Sequence, residues 1–200
     1  MNVGMYGLID EKCHLCQGKK PYITHATRVG PYRGSLKSLL IKLKFNKQTR
    51  LDRYLGQHLA SALLATDHVD LIDYLLPIPL HWQRYLQRGY NQSELIAQET
   101  HYELAKCGLK IPIRKDLVRT QNTPPQMHLS RNERLNNLKN AFALRKDAPF
   151  KGKHICIIDD VTTTGATLHV AARLLKKAGA KTVSMAVIAV TPSPNESLTL

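Results

Sequence analysis

One stretch limits the folds open to this chain more than any other. His154-Ile155-Cys156-Ile157-Ile158 is a short apolar run of the kind buried on both faces of a sheet. Leu168, Ala171, Ala172 and Leu175 then form one helical stripe that Gly179 terminates, and Thr182 to Val190 is a second continuous apolar strand. Strand, loop, helix and strand in that order give two parallel strands joined by a right-handed crossover, because parallel neighbours need a connection long enough to return along the sheet. The expected class is α/β, a mostly parallel sheet flanked by helices.

The rest of the chain supplies the flanking layers. Leu36, Leu39, Leu40 and Leu43 make one helical stripe, and Leu51, Leu55, Leu59 and Leu63 make another after the NKQT break. Leu71 to Leu76 is read as a strand stopped by Pro77 and Pro79, followed by a polar loop from His81 to Asn91. Ser93 to Lys106 is a predicted helix with Ser93 as N-cap and Gly108 just past its end. Pro112 to Thr120 is a weaker strand, Gln121 to Leu129 a loop, and Ser130-Arg131-Asn132-Glu133 a capping box opening a further helix. With 200 residues and 43% apolar composition, one globular domain is the default. The expected division is an irregular N-terminal appendage at 1–27 and the main domain at 28–200. No apolar run approaches the ~20 residues of a membrane helix, and the opening MNVGMYGLIDEK carries acids where a signal peptide is apolar. The expectation is a cytoplasmic protein without membrane insertion.

The chemistry concentrates between the last strand and helix, in Asp159-Asp160-Val161-Thr162-Thr163-Thr164-Gly165-Ala166-Thr167. Two carboxylates at the carboxyl end of a parallel strand can accept hydrogen bonds from vicinal sugar hydroxyls, or hold water around Mg²⁺. The loop after them does the opposite. Its backbone N–H groups, its threonine hydroxyls and the positive end of the next helix donate toward an anion, and Gly165 allows the close approach a phosphate needs. A sugar 5-phosphate suits both halves. The chain contains neither GxGxxG nor GxxxxGK, so a dinucleotide fold and a P-loop ATPase are not supported.

The segment ICIIDDVTTTGATL closely resembles the phosphoribosyl pyrophosphate (PRPP) motif of type I phosphoribosyltransferases. The resemblance implies that Asp159 and Asp160 bind the ribose hydroxyls and that residues 163–167 cradle the 5-phosphate, with Mg²⁺ accompanying PRPP. LLPIPLHWQRYLQRGYNQSELIA, YRGSLKSLLIKLKF and RTQNTPPQMHLSRNERLNNLKNAFAL resemble successive blocks of the ComF/GntX family, bacterial phosphoribosyltransferase-like proteins tied to natural competence and DNA utilisation. The likeness runs from about Pro31 to Val190. Its most diagnostic pieces are Arg88-Gly89-Tyr90-Asn91-Gln92 and Arg134 with Asn137, followed by Ala141-Phe142.

Those pieces suit the other end of a PRPP site. Arg84 and Arg88, in the loop after Pro79, can capture pyrophosphate oxygens in pairs through planar guanidinium groups, with Gly89, Asn91 and Gln92 orienting neighbours. By the resemblance, Arg119, Gln126, Arg131 and Arg134 surround a loop that closes over the pyrophosphate. If catalysis occurs, Asp159, Asp160 and Arg88 carry it, and the enzyme is a pentosyl-transferring glycosyltransferase acting on an acceptor that no segment identifies. That transferase is the alternative; the leading reading is a DNA-handling factor in which the same site serves regulation or structure, working with other competence machinery.

Charge bears on the DNA-handling reading. The chain carries a net +14: the segment from Arg28 to Arg53 carries +7, that from Lys106 to Lys153 carries +9, and the remainder is net −2. Two basic blocks beside a phosphate site suit a longer polyanion, with single-stranded DNA as the candidate partner. Lys37, Lys42, Lys44, Lys47 and Arg50 are the expected contacts, with Lys42, Lys44 and Lys47 placed beyond reach of the Asp159-Asp160 loop on the helix reading, and Tyr32, Phe45, Tyr54 and Trp82 are available for stacking. Cys13-His14-Leu15-Cys16 is half of a zinc site, and structural zinc needs four ligands. The pair is read as the remnant of a zinc finger that relatives complete with upstream cysteines, holding no tight metal here.

Overall fold

A computed structural model describes residues 8–9, 12–13, 22–45, 50–121 and 140–191. Near the start, β1 (Leu8–Ile9) pairs antiparallel with β2 (Lys12–Cys13). The main sheet has four strands, β3 (His25–Pro31), β4 (Tyr74–Pro77), β7 (His154–Thr162) and β8 (Thr182–Val190), in the spatial order β3-β8-β7-β4. Every pairing in it is parallel, as the β-loop-α-β unit requires. A separate antiparallel pair joins β5 (Leu117–Arg119) to β6 (Phe142–Leu144).

Alternation along β7 explains the layers. Ile155 and Ile157 face one side, where they pack with Leu168, Ala171, Ala172 and Leu175 of α5 (Ala166–Lys177) and with Leu117 and Phe142 of the small sheet. Cys156 and Ile158 face the other. There they meet Leu40 and Leu43 of α1 (Gly34–Phe45), Leu55, Leu59 and Leu63 of α2 (Leu51–Leu64), and Ile96 and Leu104 of α4 (Gln92–Lys106). Cys156 is fully buried, and that burial raises its thiol pKa to about 12, so it is a packing residue rather than a nucleophile. Helices α2 and α4 approach closely at Gly56, where an added Cβ would come within 2.4 Å of the Glu99 Cβ.

Several boundaries differ from expectation. Tyr22 and Ile23 pack against the core. Residues 69–71 form a single 3-10 turn, and the strand begins at Tyr74, where Asp73 turns back to bind the start of β7. The polar loop after Pro79 is instead a short helix, α3 (Trp82–Arg88), with its cap nitrogen on Gly89 donating to the Tyr85 carbonyl at 2.7 Å. Helix α3 buries none of its residues, so it leaves no core-facing signal. The Gln121 to Leu129 loop lies outside the described residues apart from Gln121, as does the capping box at 130–133.

Candidate functional site

Four parallel strands bring their carboxyl ends to one edge of the sheet, where open α/β folds place ligands. At that edge β7 runs through Asp159 and Asp160 and ends at Thr162, whose carbonyl accepts from Thr191 N at 2.9 Å. Thr162 is therefore a buried strand residue, while Thr163 is exposed and Thr164, Gly165 and Thr167 are half-buried. Gly165, at φ 71°, turns the chain into α5. A Cβ is strained in that left-handed conformation, which accounts for glycine there. Buried Ala166 and half-buried Val161 flank the turn.

The carboxylates are held from two other directions. Asn91 caps α4, in place of the Ser93 expected from sequence: its Oδ1 accepts from Ser93 N at 3.2 Å, and its Nδ2 donates to the Ile78 carbonyl at 3.0 Å. Ser93 is thereby free to donate its hydroxyl to Asp159 Oδ1 at 2.8 Å, and Gln92 Nε2 donates to Asp160 Oδ2 at 3.3 Å. The positive end of α4 thus faces the acid pair. Backbone N–H groups of Asp160 and Val161 donate to the Asp159 and Asp160 carboxylates at 2.9 and 2.7 Å.

The second direction overturns an expectation. Lys44, assigned from sequence to a polyanion face beyond reach of this loop, places Nζ 2.7 Å from Asp160 Oδ2. The last turn of α1 points into the edge of the sheet because Leu40 and Leu43 must face the core, and Lys44 follows next along the chain. Burial alone would depress the Lys44 ammonium; attraction and hydrogen bonding to Asp160, helped by Asp159, outweigh it and hold the group above its usual range. Asp159 shifts the other way: burial, then repulsion from Asp160, pushes its carboxyl up to about 7 against the opposing help of Ser93 and Lys44.

Arginines gather beside the acids. Arg84 is lowered by burial and then by Arg88, and Arg119 by burial and then by Arg84, with Asp159 acting against that. These influences put Arg84 within electrostatic reach of both other guanidinium groups, and Arg119 within reach of Asp159. Arg84 and Arg88 sit on α3 rather than in a loop, and Gly89 ends that helix at φ 82°. Asn91 and Gln92 are buried. Arg134, Gln126, Arg131 and Lys47 lie outside the described residues. Lys37, Lys42 and Arg50 are exposed, as are Tyr54 at 51% and Trp82 at 61%; Tyr32 is half-buried, and the Phe45 side chain is outside the described set.

What sequence reasoning missed is mostly long-range. Ser93 had the signature of a cap and Lys44 that of a solvated cation; only the sheet edge brings either to the acids.

A family model for the phosphoribosyl transferase domain matches residues 91–197, more than half of the chain. DNA utilization protein YhgH of Salmonella typhimurium is 34% identical over 176 residues, 86% of this chain and 75% of that protein. Competence protein F of Haemophilus influenzae is 32% identical over 182 residues, 88% of this chain and 76% of its own. The chain belongs to the ComF family of phosphoribosyl transferase-domain proteins. Among solved structures, a purine phosphoribosyltransferase from Pyrococcus horikoshii OT3 aligns at TM-score 0.42 and 18% identity, covering 70% of this chain and 75% of that one.

Proposed function

We propose that this protein binds PRPP or a related ribose phosphate across residues 159–167, and that it does so in the handling of single-stranded DNA during competence. The observation that carries the first half is the acid pair at the carboxyl end of β7, followed at once by the Gly165 turn into α5. Carboxylates accept from ribose hydroxyls, while loop N–H groups and the α5 terminus donate to the 5-phosphate. Each such charge-assisted bond contributes roughly 1.5–3 kcal/mol net, so four or five retain a monophosphate. The second half follows the relatives, a DNA utilization protein and competence protein F, and the exposed cations Lys37, Lys42 and Arg50. A cytoplasmic site of action fits this role, and among the described residues no helix is long and apolar enough to cross a membrane.

Mg²⁺ suits the donors present. Asp159 and Asp160 offer hard oxygens, and the Gln92 side-chain carbonyl oxygen is buried beside them without a hydrogen-bond partner. Among the described residues no group of three or more His, Cys, Asp or Glu side chains is placed to hold a metal, so Asp159, Asp160 and Gln92 would supply part of the ion's shell, with water and the ligand completing it. It would supply charge neutralisation to the pyrophosphate. The zinc half-site at Cys13 and Cys16 falls outside what the side chains described can address.

A second reading, transfer of ribose phosphate to an acceptor, is favoured by the arginine group. Departure of pyrophosphate leaves positive charge on the ribose, and Arg84, Arg88 and Arg119 are clustered where they can stabilise the leaving group. Fold alone decides nothing between the two. Pyrophosphate release measured with PRPP against a panel of bases and single-stranded oligonucleotides separates them: release with any acceptor establishes the transferase, whereas PRPP binding without release supports the DNA-handling role.

A further inference from the structure

We infer that Lys44 is a resident cation of the acid pair, which a divalent ion entering with its ligand must displace from Asp160. The inference rests on the reading of Asp159 and Asp160 as the ribose and Mg²⁺ end of the site. It goes beyond that reading by assigning a competitor carried on a different helix.

Three observations carry it. Lys44 Nζ lies 2.7 Å from Asp160 Oδ2, with side-chain exposures of 20% and 7% for the two residues, so this is a largely dehydrated pair rather than a surface one. Asp160 is its nearest carboxylate with Asp159 beside it, and the α4 side chains that hold the pair, Ser93 and Gln92, are neutral donors. Among the described residues, Lys44 is the cation with a direct contact to the acid pair. The Gln92 side-chain carbonyl oxygen, on a residue only 3% exposed, has no hydrogen-bond partner among the described residues, leaving a buried acceptor next to Asp160 for an incoming ion or its water.

The backbone just ahead of Lys44 is held in place. The Tyr90 hydroxyl donates to the Leu43 carbonyl, tying the end of α1 to the turn that carries Arg88, Asn91 and Gln92. Leu43 is fully buried. Displacement therefore asks for a rotation of the lysine stem and not a movement of α1. Two cations cannot share Asp160 cheaply, because like charges a few ångströms apart repel. By linkage, whatever Lys44 gains from Asp160 is subtracted from divalent-ion affinity.

The test uses the full chain and Mn²⁺ as the probe, with binding followed by electron paramagnetic resonance of the free ion. Lys44→Met should tighten Mn²⁺ roughly tenfold, and Lys44→Arg should stay near wild type. A Lys44→Gln variant serves if the methionine form does not fold. In the wild type, acetylation of Lys44 followed by mass spectrometry should rise severalfold when Mn²⁺ saturates the site, since the freed ammonium becomes accessible. Unchanged Mn²⁺ affinity in the neutral variants, or Lys44 labelling that does not respond to the ion, overturns the inference. Calorimetry with PRPP separates the premise from it. If Lys44→Met tightens Mn²⁺ while PRPP binds neither form, the ribose-phosphate reading falls and the resident cation stands. If PRPP binds both forms and Mn²⁺ affinity is unaltered, the reverse holds.

Discussion

The hydroxyl of Ser93 donates to Asp159 across 66 positions of sequence, joining the first turn of α4 to the carboxyl end of β7 at 2.8 Å. The contact fixes one acid of the pair from a helix whose own cap, Asn91, is anchored to the Ile78 carbonyl. The acids thus depend on α4 for position.

Removing the acids should therefore remove the ligand. Asp159→Asn combined with Asp160→Asn should abolish most calorimetric PRPP·Mg²⁺ binding while circular dichroism stays native. Ser93→Ala, which deletes one hydrogen bond worth about 0.5–1.5 kcal/mol, should weaken binding only several-fold. Wild type giving neither heat nor thermal shift with millimolar PRPP contradicts the site.

Polyanion binding should follow the exposed cations and not Lys44. Single-stranded DNA affinity should fall with salt at a log–log slope of about −0.7 per phosphate neutralised, with little dependence on base sequence. Charge reversal at Lys37 and Lys42 should flatten the slope by about 1.4 if each meets one phosphate, leaving PRPP binding unchanged. No shift of oligonucleotides at ~50 mM salt counts against direct contact.

Packing between α2 and α4 predicts a steric effect. Gly56→Ala adds a methyl into the 2.4 Å gap at Glu99 and should destabilise the fold by about 1–3 kcal/mol, read by urea denaturation. An unchanged midpoint would mean the helices separate without cost.

Asp73 supplies a pH dependence. Its carboxylate accepts from Lys153 Nζ at 2.9 Å and His154 N at 2.8 Å; burial opposes ionisation, but these bonds outweigh it and hold the group below 3.8. A carboxyl depressed by folding contributes stability that is present above its unfolded pKa and lost as pH falls through the lower folded value. Asp73→Asn should cost about 1 kcal/mol near neutral pH, reduced by screening at half-exposed Lys153, and the gap to wild type should close below about pH 3.8 in urea unfolding.

Much of this was legible beforehand for a physical reason. β8 begins and ends at the residues its apolar run predicts, and α5 follows its leucine and alanine stripe, because burial on both sheet faces and on one helix face writes a period into the sequence. The acid pair and the hydroxyl-rich turn were readable because they are contiguous. Helix α3 was not: Trp82, Tyr85 and Leu86 share a helical face, yet all three are exposed, so nothing in the core demanded them. Lys44 was misplaced because a run of basic residues carries no record of which one the end of α1 turns toward Asp160.

The strand order β3-β8-β7-β4 also has a consequence for synthesis on the ribosome. β8 sits between β3 and β7, so β3 has no sheet partner until Val190 has emerged, although β4 and β7 can already pair. A nascent chain therefore carries β3 with an open edge through most of translation, the state most exposed to wrong pairing. Among the described strands β8 is the last made, and it joins β3 to the rest of the sheet.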